Sequence, residues 1–452
     1  MTYMPPMDAM FLAMESREHP MHVGGLALFD KADGADDFAR TLYEDMVRGD
    51  GTVASVFRRR PGRSLGAFSL LRWDLDDDVE LDFHVRLLSL PAPGRVRELL
   101  ELVSMLHGAL LDRHRPLWEV YVIEGLADGR VAMYAKTHHA LMDGVAAVRT
   151  WQRTLASDPV ARDCRPPWRA ERQRRQQKST GLSDLTGAVR SISRTVGSVP
   201  EAISGTLELT RRTPGPLPYR APHTMFNVPI SGGRRFAAQS WPLARLRAVT
   251  ATTGVTLNDL VLAMCAGALR RYLLAEDVLP ERPLIAMVPV SLRGTETGPA
   301  DGGNAVGAAL CDLGTDEPDP HARLARIRES MVRTKSTMSR LTPLQVLGLS
   351  AVNVAGLALP SLPWRHDNGR PPFNIVISNV PGDEKPKYWN GVRLGAFYPA
   401  SIPLDGQAVN ITTISSGGGM HFGIVGCRRA VPHLQRLLLG LEESLAELEQ
   451  LD

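Results

Sequence analysis

The feature that most limits what this chain can fold into is a break in composition near its middle. Patterns on both sides mix strand and helix, and 452 residues exceed what one ordinary core accommodates. Between Arg162 and Lys178 stand Arg162, Arg165, Arg169, Arg172, Arg174, Arg175 and Lys178 against only Asp163 and Glu171. Such a basic, proline-bearing run reads as an exposed linker, and it leads through Leu182–Leu209 to Thr213-Pro214-Gly215-Pro216. The expected division is residues 1–156, a connecting segment 157–222, and residues 223–452. Both flanking parts are expected to be mixed α/β units, sheets flanked by helices.

In the first part His22–Phe29 reads as a strand broken by Gly24 and Gly25, and Leu99–Leu111 as a helix. Trp118–Ile123 and Val131–Lys136 read as strands. In the second, Leu257–Leu274 has the clearest helical spacing, Leu284–Val290 and Asn374–Ser378 read as buried strands, and Asn410–Ile414 pairs with His421–Gly426 through Gly417-Gly418-Gly419. Val431–Leu451 reads as an amphipathic helix.

Several function classes lose support. A formal charge of +3 is near neutral for this length, so bulk charge does not argue for nucleic acid. The cysteines Cys164, Cys265, Cys311 and Cys427 are scattered without a CxxC pair, which suits a reducing compartment and suggests no zinc site. Neither a Walker A nor a GxGxxG sequence occurs. Gly62-Arg63-Ser64-Leu65-Gly66 has the form of a nucleophile elbow, but Arg58-Arg59-Arg60-Pro61 before it cannot be a central strand. Cys265 sits in an apolar helix, where a thiol packs rather than attacks. No stretch reaches the ~20 apolar residues of a membrane span; Leu344–Leu362, the longest, is interrupted by Gln345, Ser350, Asn353 and Pro360.

The remaining chemistry concentrates in His138-His139-Ala140-Leu141-Met142-Asp143-Gly144. A strand precedes it, and Val145, Val148, Trp151 and Leu155 recur after it at helical spacing. Consecutive strand residues face opposite ways, so the two histidines should diverge. Imidazole, with a pKa near ~6.5, suits a base working near neutral pH. Asp143 can fix the loop or simply cap the helix, and Gly144 permits a turn that a side chain would obstruct. His139 and Asp143 are spaced for a metal, but no second ligand cluster supports one, and none is expected.

This string resembles the HHxxxDG motif of the CoA-dependent acyltransferase superfamily, which includes chloramphenicol acetyltransferase and the condensation domains of peptide synthetases. Within it, the chain is similar to the bacterial wax ester synthase/diacylglycerol acyltransferase family. Met7-Asp8-Ala9-Met10-Phe11 and His19-Pro20-Met21-His22-Val23-Gly24-Gly25 match that family's opening, Pro116-Leu117-Trp118 its PLW motif, Asn258-Asp259 its ND motif, and Ser378-Asn379-Val380-Pro381-Gly382 a late segment.

The resemblance implies two chloramphenicol acetyltransferase-like domains with an active-site tunnel between them. His139 would take the proton of an acceptor hydroxyl, which attacks the thioester of acyl-CoA. A thiolate with pKa ~8.5 leaves far more readily than an alkoxide. Asp143 would be scaffold paired with an arginine. Asn258 and the amides near Gly144 are oxyanion candidates, although Asn258 or Thr256 could instead cap the long helix. Glu15 and Ser16 are candidates for the acceptor side, and Trp118 for packing. No persuasive nucleophile exists, so direct transfer is favoured over an acyl-enzyme. The implied partners are acyl-CoA as co-substrate, with no bound cofactor, and diacylglycerol or a fatty alcohol. The expected place is the cytoplasm, peripherally at the inner membrane face or lipid droplets, where the basic run could meet anionic headgroups. Condensation-type acylation of another hydroxyl or amine, and a non-catalytic lipid-binding role, are the competing readings.

Overall fold

The computed structural model describes residues 2–31, 37–48, 53–62, 72–169, 220–291, 306–339 and 370–450. Two six-stranded mixed sheets organise the chain. The first runs Tyr388–Trp389, Val392–Ala400, His22–Phe29, Val131–His138, Trp118–Glu124, Val85–Ser89. It is antiparallel except for the last pair. The second runs Val306–Asp312, Ile285–Ser291, Ile375–Val380, Val409–Ser416, Gly419–Cys427, Arg234–Pro242, and Ile375–Val380 is parallel to both neighbours. A small antiparallel sheet of Thr2–Tyr3, Arg72–Leu75 and Arg59–Pro61 lies beside them.

Each sheet has its own core. Helix Leu257–Ala275 packs on the second sheet and buries thirteen residues on all sides, among them Leu260, Met264 and Leu269. Its apolar spacing is thus that of a core helix rather than a surface one. No described helix alone is long and apolar enough to cross a membrane; Leu243–Thr253 and Leu257–Ala275 pass only as a pair, bent by 103°. The first sheet packs Leu42, Trp73, Val120 and Met133. A third cluster joins the two: helix Val96–Gly108 sets Leu99 and Val103 against Leu26 and Tyr134 of the first sheet and Phe236 and Val425 of the second.

Three findings depart from the sequence expectations. The strand Val392–Ala400, in the chain's second part, completes the first sheet by pairing with His22–Phe29, so the sheets do not follow a cut at residue 222. The segment from Ser157 to Arg169 is not a loose linker. Trp168 is 1% exposed, stacks on Trp118 with centroids 4.7 Å apart and donates to Met46 O at 3.1 Å; Cys164 N donates to Asn390 Oδ1 at 3.0 Å. A large aromatic buries enough apolar surface to override the polar composition around it. The rest of the basic run, Leu182–Leu209, Thr213–Pro218 and Leu344–Leu362 lie outside the described residues, as do Arg63–Gly66. Finally, Gly24 and Gly25 do not break their strand. A Cβ at Gly24 would stand 2.7 Å from Tyr134 Oη, and one at Gly25 would enter the Phe397 ring. The glycines admit aromatic side chains against the sheet.

Candidate active site

The strand Val131–His138 is buried along its whole length and delivers its last residue to a tight loop. His138 N donates to Leu117 O at 2.9 Å, so the Pro116-Leu117-Trp118 segment anchors the strand end by its main chain. His139 N donates to Met21 O at 2.8 Å, and the amides of Leu141 and Met142 fold back onto His138 O at 2.9 and 3.2 Å. The loop is therefore fixed on both sides before the helix Gly144–Gln152 starts. Asp143 caps that helix, accepting from Ala146 N at 2.7 Å. A Cβ on Gly144 would meet only Val23 Cγ1, at 4.0 Å, among the described residues. Its φ is not positive, so this glycine is not a turn requirement as expected; it leaves the space before the helix start open. The main-chain donors of Gly144 and Val145, first in the helix, have no partner among the described residues.

The helix then crosses to the other sheet. Val148 packs with Val380 and Ile414, joined by Val145 and Phe397, and a Cβ at Gly382 would collide with Ser415 O. The Ser378–Gly382 segment thus lies against the helix that follows the histidines, and the histidine loop sits where the two sheets meet.

The two rings part as the strand period requires. His138 is 0% exposed. Its Nδ1 accepts from Ala140 N at 3.0 Å, which places the ring proton on Nε2, 3.3 Å from Glu15 Oε1. Glu15 is itself gripped: Oε2 accepts from Arg113 Nε at 2.9 Å, and Oε1 from Met21 N at 3.4 Å. Burial pushes its carboxyl up, yet His138 and Arg113 outweigh burial and hold it below the usual glutamate range. Arg113 also donates to Leu12 O at 2.7 Å. Glu15, with a side chain only 2% exposed, does not line an acceptor surface; it orients His138. Ser16 closes a surface turn with His19, its Oγ 2.9 Å from Nδ1.

His139 turns the other way, onto Phe11 of helix Pro6–Met14, with ring centroids 4.0 Å apart and planes 24° apart. Burial lowers its pKa to about 4; Asp143 opposes the shift and His138 adds to it. The imidazole is therefore neutral at physiological pH. Its own main-chain carbonyl also favours the protonated ring. Asp8, one turn before Phe11, has its carboxyl raised by burial and by Asp143, against Arg59.

Asn258 lies in the first turn of Leu257–Ala275, yet it is not the cap. Thr256 accepts from Asp259 N, and Asp259 accepts in return from Thr256 N at 3.1 Å. The Asn258 side chain, half-buried, has no hydrogen-bond partner among the described residues. Trp118 is structural: 1% exposed, it stacks on His84 at 4.3 Å and donates to Phe57 O at 2.9 Å. Burial raises the Cys265 thiol far above its ordinary value, so it is no nucleophile. Among the described residues no group of three His, Cys, Asp or Glu is arranged to hold a metal. Arg113 escaped the sequence reading because Glu15 is 98 positions away; its place just before Pro116-Leu117-Trp118 was the only available signal.

Two mixed sheets that meet at a neutral, aromatic-backed histidine give the chain the condensation-domain fold. The same fold occurs in the starter condensation domain of rhizomide synthetase, 14% identical with a TM-score of 0.56 over 99% of this chain and 94% of that one. The profile of the wax ester synthase/diacylglycerol acyltransferase catalytic domain matches residues 4–261, and that of the family's C-terminal domain residues 302–449. A Mycobacterium tuberculosis protein named as a probable diacylglycerol O-acyltransferase is 51% identical over 452 residues, covering 100% of this chain and 99% of its own. The solved wax ester synthase/diacylglycerol acyltransferase from Marinobacter aquaeolei VT8 is 39% identical with a TM-score of 0.78, covering 99% of both chains. This chain belongs to the wax ester synthase/diacylglycerol acyltransferase family and is an O-acyltransferase.

Proposed function

We propose that the chain moves a long-chain acyl group from acyl-CoA to the hydroxyl of diacylglycerol or a fatty alcohol, with His139 as general base. The carrying observation is the His139 ring, kept neutral by burial and backed by Phe11 at the open start of a helix. Nε2 takes the acceptor proton as the oxygen bonds to the thioester carbonyl carbon. The carbonyl oxygen becomes negative and needs donors, which the amides of Gly144 and Val145 and the Asn258 side chain can supply. Collapse breaks the C–S bond, and the imidazolium returns its proton to the CoA thiolate. No residue is acylated. Glu15 and Arg113 keep His138 in one tautomer, and His138 holds the loop that aims His139. No bound cofactor enters the scheme. On this reading the protein works in the cytoplasm, and an acceptor that partitions into lipid favours a membrane or lipid-droplet surface.

Purified protein incubated with palmitoyl-CoA and a panel of diacylglycerol, monoacylglycerol and hexadecanol is expected to yield triacylglycerol or wax ester, identified by mass spectrometry. Turnover of carrier-bound donor only, or no ester at all, would overturn the assignment. Asn258→Ala is expected to lower kcat by about 10²-fold while KM for palmitoyl-CoA changes little, as for loss of one oxyanion donor. An unchanged kcat assigns the stabilisation to the helix amides alone.

A further inference from the structure

The loop that carries both histidines must keep one geometry, although the groups around it come from both sheets. His139 follows directly on a first-sheet strand, while the Asn258 side chain belongs to a helix packed on the second. After the loop, Val148 of helix Gly144–Gln152 ties the chain to Val380 and Ile414 of the second sheet. Ahead of strand His22–Phe29 stands another tie, the turn Ser16–His19.

This turn is closed on itself. Ser16 N donates to His19 O at 3.2 Å and His19 N to Ser16 O at 3.0 Å, and Ser16 Oγ lies 2.9 Å from His19 Nδ1. On one side it leads into the histidine loop. Glu15, directly before it, faces His138 Nε2 at 3.3 Å. Met21, two residues after it, receives the His139 amide and gives its own amide to Glu15 Oε1. On the other side the turn rests on residues around the second sheet. Glu18 O accepts from Arg234 at 2.6 Å, and a Cβ at Gly232 would stand 2.6 Å from Arg17 O. The His19 side chain crosses the same boundary, its Nε2 lying 2.9 Å from Asp405 Oδ1.

Asp405 is a firm anchor. Leu404 and Gln407 exchange main-chain bonds around it, at 3.1 and 2.8 Å. Gly406 N donates to Val228 O at 3.0 Å, Asn227 Nδ2 to Gly406 O at 2.9 Å, and Gln407 Nε2 to Phe373 O at 2.9 Å. Asp405 Oδ1 also accepts from Ile230 N at 2.8 Å. An imidazole engaged at both nitrogens, between a closed turn and such an anchor, has little freedom to move. Ser16, His19 and Asp405 stand in the order of a hydrolytic triad. However, Ser16 Oγ accepts from His19 N at 3.3 Å and lies 3.3 Å from the Glu18 carboxylate, which would repel an oxyanion. The arrangement holds a turn and does not make a nucleophile.

We propose that His19 and Asp405 are positioning residues for acyl transfer: their contact references the histidine loop to the second sheet through Glu15 and Met21, so that His139 and the second-sheet groups keep their relation as substrates enter. The inference rests on His139 acting as the base. The two side chains are 22% and 21% exposed, so losing their contact should cost the fold little. A reacting group misplaced by about 1 Å, by contrast, can lose up to about 10²-fold in rate.

His19→Ala and Asp405→Ala are each expected to lower kcat about tenfold, with KM for palmitoyl-CoA within about twofold of the wild type. The double variant should fall no further than either one. The amide nitrogen of glutamine reaches as far as Nε2, and that of asparagine only as far as Nδ1. His19→Gln should therefore recover most of the rate, and His19→Asn, which keeps only Ser16, should not. Hydrogen–deuterium exchange of the peptide spanning residues 138–144 reads the loop without turnover. It should quicken in His19→Ala, Asp405→Ala and His19→Asn, and stay at the wild-type rate in His19→Gln. Multiplying losses in the double variant, equal rates for the Gln and Asn variants, or a kcat loss matched by a fall in the urea midpoint overturns the proposal. Full turnover by His139→Ala, with exchange still following this pattern, would remove the base assignment and leave the positioning of the loop standing.

Discussion

His139→Ala is expected to lower kcat for ester formation by about 10³-fold, within the range that a positioned general base contributes. Nothing nearby can replace it. Asp143 is engaged as a helix cap, and Nδ1 of His138 is occupied by Ala140 N while its Nε2 faces Glu15. His138→Ala should reduce kcat less, through the loop, and single-turnover kinetics separates the two. The pH profile carries the same information. The His139 pKa is lowered to about 4 by burial, so the neutral ring persists down to that pH in the free enzyme. The rate falls only as pH drops through 4, when the base becomes protonated. A kcat/KM profile with its acid limb near 6.5 would mean that a solvated imidazole, and not this one, is the base.

Glu15→Ala is expected to cost about 3 kcal/mol of stability, the low end for breaking a buried pair, because Arg113 is 38% exposed and water recovers part of its charge. The substitution strands the His138 Nε2 proton in a site with 0% exposure and frees Arg113 and the Met21 amide. Since Met21 O receives the His139 amide, the loss should reach kcat as well. Glu15→Gln keeps an acceptor and should recover part of both losses; urea unfolding beside steady-state kinetics reads them. The pH dependence has a definite sign. The folded Glu15 carboxyl lies below its ordinary value of 4.5, so its contribution is complete above that value and disappears as pH falls through the lower folded one. Wild type and Glu15→Gln should therefore converge in stability in acid.

The local geometry around the histidines was legible in the sequence because it is local. A buried strand ending in two histidines, a capped helix and the companion motifs stand in order along the chain, and period alone separates the rings of His138 and His139. The helix Leu257–Ala275 and the paired strands Val409–Ser416 and Gly419–Cys427 were equally visible from spacing. What was not legible depends on distant residues. Gly24 and Gly25 look like breakers until Tyr134 and Phe397 are laid against them. The terminal helix begins at Arg436 instead of Val431 because Pro432 and His433, the latter at φ 51°, form a turn first. Glu15 looks like a surface acid until Arg113 and His138 close on it, and Trp168 turns a basic stretch into a core contact. No periodicity encodes such meetings.

The strand Val392–Ala400 has a consequence for biosynthesis. The sheet that carries the histidines cannot close until the ribosome has made residue 400, although its other long strands are finished by residue 138. In the interval His22–Phe29 presents an open, apolar edge, the kind that recruits foreign strands. A nascent chain must keep this edge guarded for more than half its synthesis. The histidine loop, which leans on the second sheet through Val148, is then completed last, so no truncated product is released as a working enzyme.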